Sequence, residues 1–267
     1  MNAQSLALEP DAVRSPARGG MFLGFGTFLR KEVADWVRGR RALVVGAVVT
    51  AAAAFTTVIP FVVAASGETG GVPLSMDPTA NVLLGWGGQT VPLAALLASM
   101  ALLSGERDRG TLAWSLTRPL SPTSILAAKW LAAVGVLAIV AIAVPLTVSV
   151  VIASIAYGAL PDLGTVALFA VLYASVPAFY VALTLALGTA VAGTGGIAGI
   201  AFLVMFLPSL LGALVPIVGE AAPTAIGGWA MAVATGQPAS ALTLAGFVGS
   251  MAILVVAAKV IFDRQEV

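Results

Sequence analysis

Runs of apolar residues more than 20 positions long, with no charge inside them, recur along this chain. About 20 such residues in a helix span the hydrocarbon of a bilayer. Inside lipid, every backbone N–H and C=O must also be satisfied within the protein. The runs therefore read as transmembrane helices. Composition agrees: 60% of the residues are hydrophobic and 9% charged, against about 25% charged in an ordinary soluble domain. So few charges cannot hydrate the shell of a soluble core of this size. The expected fold class is an all-α polytopic membrane protein. With no cysteine and no histidine, the chain has no disulfide, no thiolate nucleophile and none of the commonest metal ligand. Its first 20 residues mix acids, prolines and arginines without an apolar stretch or cleavage site, so they are no secretory signal.

In chain order, residues 1–20 read as a disordered cytoplasmic tail and residues 21–267 as one transmembrane domain. Phe22, Phe25, Leu29, Val33, Trp36 and Val37 recur at steps of three and four, which sets them on one face of an amphipathic helix. Lys31, Asp35 and Arg38 fall mostly opposite. Such a helix, leading into an apolar run, suits the membrane interface, with its cations near anionic lipid; the alternative is a helix packed on a soluble partner. Six spans follow, at about 42–65, 82–103, 125–157, 165–192, 197–218 and 241–262. Pro145 and Pro177 lie inside the third and fourth, and a kink is expected in the third. Residues 219–240 are apolar but broken by Pro223, Gly227, Gly228, Gly236 and Pro238, which fits a re-entrant or interfacial segment anchored by Trp229. Gly188, Ala192, Gly195 and Gly199 are expected to let helices approach closely within the chain.

Six spans return the C-terminus to the side of the N-terminus. All thirteen cations then share one face: seven before the first span, Arg107, Arg109, Arg118 and Lys129 around the second connector, and Lys259 and Arg264 at the end. The opposite loops hold only Glu68, Asp77, Asp162 and Glu220. By the positive-inside rule, both termini are cytoplasmic.

The connector 104–129 is the charged island of an otherwise greasy chain. Ser104 is placed to cap a short helix, with Glu106 and Asp108 in its first turn, where carboxylates favour the helix dipole. Leu112 and Leu116 share a face, Pro119 ends the helix, and Ser121-Pro122 has the form of a cap and first position for the next. A short amphipathic helix would then lie across the cytoplasmic mouth, joined to the second and third spans, with an apolar face that something must cover.

The string Glu106, Gly110-Thr111-Leu112, Leu116-Thr117, Pro119-Leu120-Ser121 and Lys129 resembles the signature of ATP-binding-cassette type 2 transporter permeases. The helix carrying Glu32 resembles that family's cytoplasmic elbow helix, and the broken segment before the last span resembles its external re-entrant helices. Specific residues match over about 25 positions; Pro122 departs, standing where a basic residue is frequent. The resemblance implies a permease subunit of an exporter, in the prokaryotic plasma (inner) membrane, pairing as a homodimer or heterodimer. It implies that the connector is a coupling helix docking on a separate ATPase subunit, with Leu112 and Leu116 as apolar anchors, Glu106 and Arg109 as orienting charges, and Gly110, Thr111 and Pro119 completing the contact. The plain alternative for the connector is a solvated loop of helical propensity.

The chain itself carries no P-loop: its lysines are Lys31, Lys129 and Lys259, and glycine precedes none of them. No cofactor is expected on this chain, and ATP with Mg is expected on the partner. Nor is there reason to expect a nucleic-acid partner. Thr56, Thr57, Thr147, Ser149, Ser154 and Thr184 sit in spans without an acid or base at that depth, which disfavours an intramembrane hydrolase and predicts bonds to their own helices. The absence of Asp, Glu and Arg at mid-span argues against proton coupling. Sodium coupling at helices broken by Pro145, Pro177, Pro208 and Pro216 stays open, as does an anchoring or assembly protein whose island docks a soluble partner without transport.

Overall fold

The computed structural model describes residues 24–65, 77–86, 88–108, 121–191 and 193–264. Among these there is helix and no strand. Five helices are long and apolar enough to cross a membrane: Arg40–Val63, Thr123–Tyr157, Leu163–Ala190, Thr194–Leu214 and Ala241–Phe262. The chain is an integral membrane protein built of apolar helices, with buried faces meeting in one main cluster.

Helix α1 (Phe25–Arg38) leads through Gly39 into α2 (Arg40–Ala65). The expected second span, 82–103, is not one continuous helix. It is divided into α3 (Pro78–Leu84), α4 (Thr90–Ser99) and α5 (Ser104–Asp108), with α3 ending at Leu84 and α4 beginning only at Thr90. The cause is local: glycines stand at 85, 87 and 88, and glycine costs a helix interior roughly 1 kcal/mol each relative to alanine. The apolar stretch Thr90–Glu106 is thereby left shorter than the five long helices.

The third expected span is α6 (Pro122–Leu137), a π-helical turn (Ala138–Ala143) and α7 (Val144–Tyr157). The predicted disturbance around Pro145 takes this form. Proline has no N–H, and its ring crowds the carbonyl four residues back. The π turn absorbs both by widening the helix, so that Val144 N–H bonds Ile139 O, five residues behind. The fourth span is divided three residues before Pro177, at the single turn residue Ala174, into α8 (Leu163–Tyr173) and α9 (Ser175–Ala190). Helix α10 (Thr194–Leu214) follows, then α11 (Pro216–Ala221), a 3-10 turn (Pro223–Ala225), α12 (Ile226–Ala234) and the last span, α13 (Ala241–Arg264). The expected broken segment is thus three short helical pieces, with Trp229 partly buried against the core.

Helix α9 is the centre. It packs on α4, α6, α10 and α13, and most of its length is buried. Of the glycines expected to bring helices together, Gly188 does so: a Cβ there would stand 3.1 Å from Leu103 Cβ. Gly195 and Gly199 face open space instead. The closest approaches lie elsewhere, between Gly212 and Gly219 and between Gly246 and Ala221. The span hydroxyls mostly bond their own helices, as Thr56 to Ala52 O and Thr147 to Ala143 O. Two also cross between helices: Thr57 donates to Ser149 (3.1 Å) and Thr184 to Ser99 (2.8 Å).

Candidate functional site

The polar centre of the molecule is where α1, the end of α5 and the start of α6 meet. Ser121 accepts from Ser124 N–H at 3.1 Å and Pro122 takes the first position, so α6 starts as its sequence predicts. Two turns later stands Lys129, whose side chain is 1% exposed. Helix α1 packs along α6 and buries Phe28, Glu32 and Trp36, spaced four apart. At the end of the α4–α5 stretch is Glu106, largely buried.

These side chains form one ionic hub. Lys129 Nζ donates to Glu106 Oε1 at 2.7 Å and to Glu32 Oε1 at 3.1 Å. Lys31 Nζ reaches Glu32 Oε1 at 3.1 Å, Asp35 Oδ2 at 3.2 Å and Glu106 Oε1 at 3.9 Å. The Phe28 ring lies under both ammonium groups, with centroids 5.6 Å from Lys129 and 5.2 Å from Lys31. Burial works against the charge of Lys31, but the carboxylates of Glu32, Asp35 and Glu106 outweigh it and hold its pKa above the ordinary lysine value. Beside the hub is a cleft of about 370 Å³, bordered by Trp36, Gly39, Arg41 and Leu102 as well as by the charged groups. Charges this deep are tolerated only in company, so the hub fixes the positions of three elements relative to one another.

Of the sequence-predicted residues, Glu106 is brought into this hub. Arg109, Gly110, Thr111, Leu112, Leu116 and Pro119, with Phe22 of the amphipathic segment, lie outside the described residues. Helix α1 exists as expected, and the edge it buries against α6 is Phe28, Glu32 and Trp36. Phe25 and Leu29 are half-buried, Trp36 is buried, and Val33 and Val37 are exposed. The reason is Glu32: its bond to Lys129 draws the Phe28–Glu32–Trp36 edge inward. Ser104 is not an N-cap. It sits in a chain that already runs on from α4, and its hydroxyl donates back to Met100 O at 3.2 Å. Sequence reasoning missed the partnership of Glu32 with Lys129; the available signal was a glutamate four positions before Trp36 on the amphipathic helix and a lysine inside the apolar run.

At the far end of the bundle, a cleft of about 600 Å³ lies between Asp77, Thr79, Asp162, Thr165, Thr235 and Gln237. Its acids cap the starts of helices. Asp77 accepts from Thr79 N–H and caps α3. Asp162 accepts from the hydroxyl and N–H of Thr165 and the N–H of Gly164, which together hold its carboxyl below the usual range. Among the described residues, no group of acids is arranged to hold a metal ion.

Residues 89–267, two thirds of the chain, match the family model described as ABC-2 family transporter protein. The match takes in Glu106 and Lys129 and leaves α1 outside. No curated protein sequence matches the chain.

Proposed function

The chain belongs to the ABC-2 transporter family, and from that premise we propose that it is the permease subunit of an ABC exporter, coupled to its ATPase through the connector 104–129. Family membership makes it a membrane transport subunit associated with an ABC ATPase. The finer reading adds six crossings, with α3, the break and α4–α5 together forming the second, α1 as the cytoplasmic elbow and both termini in the cytoplasm of a prokaryotic cell. Two copies of the permease, identical or paired with a relative, surround the path, and lipid covers the exposed faces of the long helices. ATP and Mg belong to the ATPase, and this chain binds neither.

One observation supports coupling above the rest: Lys129 is buried and bonded to both Glu106 and Glu32. The connector leaves from the turn that carries Glu106 and re-enters at α6, which carries Lys129. A push on Leu112 and Leu116 from a closing ATPase therefore arrives at α5 and α6 together, and α1 moves with them through Glu32. Packed elements of this kind shift as rigid units rather than bending continuously. Glu32 and Lys129 act as positioning residues in this scheme, while Leu112, Leu116 and Arg109 meet the partner.

The test is co-expression of the permease with the ATPase, purification of the complex in nanodiscs, and measurement of ATP hydrolysis with and without the permease. Leu112→Asp with Leu116→Asp is expected to abolish the permease-dependent change in hydrolysis and to weaken co-purification. Unchanged hydrolysis and co-purification in that variant would sink the coupling reading and favour an anchoring protein. Sodium-dependent transport by vesicles lacking any ATPase would instead favour a secondary carrier.

A further inference from the structure

The cleft beside the ionic hub, about 370 Å³, falls in the size range of small-molecule sites, about 300–1,000 Å³. Both signs of charge line it: Glu32, Asp35 and Glu106 supply carboxylates, and Lys129 and Arg41 supply cations. The two cations differ in their engagement. Lys129 is buried and bonded to both Glu32 and Glu106, so its charge is neutralised within the protein. Arg41 is exposed and forms no ion pair among the described residues. Asp35 is also more than half exposed, and its one ion pair among the described residues is with the half-exposed Lys31, through Oδ2.

A ligand for this cleft has to match that arrangement. The carboxylates of the lining disfavour a bare anion, and Arg41 disfavours a bare cation. A zwitterion suits both, with an ammonium at Asp35 and a phosphate at Arg41. The hub itself shows that these carboxylates accept a primary ammonium: Lys129 reaches Glu106 at 2.7 Å and Lys31 reaches Asp35 at 3.2 Å. A guanidinium in turn offers a planar fork of donors that fits phosphate oxygens.

Position selects the kind of molecule. Arg41 is the second residue of the first long apolar helix, Arg40–Val63, where a cation sits at headgroup level. From it, at steps of three and four along one face of α2, come Val44, Val48, Ala51 and Phe55, all of them exposed. An apolar track thus leads from the cleft down the span.

We propose that this cleft binds the headgroup of a membrane phospholipid that carries a primary ammonium, of the phosphatidylethanolamine type. The ammonium bonds Asp35, Arg41 holds the phosphodiester, and an acyl chain lies along the Val44–Phe55 face of α2. The inference goes beyond transport and needs only the membrane fold. Lipid bound there borders Glu32, Glu106 and Lys129, and so braces the elements that the hub joins.

The experiment is native mass spectrometry of the full chain in detergent, titrated with phospholipids of equal acyl chains. Phosphatidylcholine has a quaternary ammonium with no N–H to donate, and phosphatidylglycerol has the phosphate without an ammonium. Phosphatidylethanolamine is expected to bind roughly three- to tenfold more tightly than either, the scale of one hydrogen bond. Asp35→Asn is expected to remove that preference, and Arg41→Gln to weaken all three lipids. Arg40→Gln removes the same charge from a neighbour that does not line the cleft, and is expected to leave phosphatidylethanolamine binding unchanged. Equal affinity for the three lipids in the parent protein overturns the proposal without any variant. Tightest binding of phosphatidylglycerol, or equal weakening by Arg40→Gln and Arg41→Gln, overturns it in favour of a diffuse basic surface. Free O-phosphoethanolamine that binds as tightly as the intact lipid overturns the lipid as occupant. No ATPase enters the measurement, so failure here leaves the coupling experiment intact, and failure there leaves this site standing.

Discussion

Lys129 Nζ lies 2.7 Å from Glu106 Oε1, across 23 positions of sequence, and the same ammonium holds Glu32 from 97 positions away. One buried cation thus ties both ends of a connector to a helix that precedes the first span. The arrangement stands because both charge signs are buried together. Lys129→Met removes the ammonium that both buried carboxylates bond, and is expected to destabilise the protein by about 3–5 kcal/mol. Thermal unfolding in detergent measures it. Adding Glu32→Gln and Glu106→Gln to the same chain is expected to recover most of the loss, because the three side chains act as one unit. A loss under about 1 kcal/mol in the single variant would show that the hub is solvated rather than buried.

Tyr173 stands at the α8–α9 junction and donates to the Trp86 carbonyl. Tyr173→Phe keeps the ring and removes the donor, leaving a buried carbonyl unsatisfied at a cost of about 1–3 kcal/mol. Hydrogen exchange at residues 85–89 is expected to quicken before that elsewhere in α4. Uniform exchange across α4 would count against Tyr173 as the support of the break.

The bond from Thr184 to Ser99 joins α9 to α4, and that from Thr57 to Ser149 joins α2 to α7. Interhelical hydrogen bonds within membranes average about 0.6 kcal/mol. Thr184→Val and Ser149→Ala are therefore expected to cost little singly and to add when combined, since they touch different helix pairs. Unfolding midpoints of the singles and the double decide this.

Asp162 sits before the fourth span, and its carboxylate is stabilised by the Thr165 hydroxyl and the N–H groups of Gly164 and Thr165. A folded pKa below the unfolded one contributes stability above the usual carboxylate range and loses it as pH falls through the folded value. Asp162→Asn is expected to lower the melting temperature at neutral pH and to converge with the parent protein in acid. A constant gap at every pH would refute the assignment.

Gly246 lets α13 approach α11: a Cβ there would overlap the carbonyl oxygen of Ala221. Gly246→Ala is expected to cost about 1–3 kcal/mol through overpacking, whereas Gly249→Ala, with open space around it, is expected to be neutral. Expression level and detergent melting of the two variants test the contrast.

Sequence alone determined the class of this protein. Charge-free runs beyond 20 residues can only be solvated by lipid, and the missing P-loop excludes that route to ATP on this chain. The signature around Glu106 and Lys129 pointed to the family that the match over residues 89–267 shows. Ser121-Pro122 marked the start of α6, and Pro145 marked the site of the π turn, because both act through local backbone chemistry. Tertiary structure decided what depends on partners distant in sequence. Periodicity gave α1 its apolar residues but not the edge it packs on α6, where Glu32 bonds a lysine 97 positions away. The same limit explains the broken second crossing. Hydropathy averages over Gly85 to Gln89, while the backbone there is held by a tyrosine 87 residues on from Trp86. Lys129 shows the difference most plainly. In the sequence it is one more cation at a membrane boundary; in the fold it is buried with two carboxylates, and only that company lets its charge remain there.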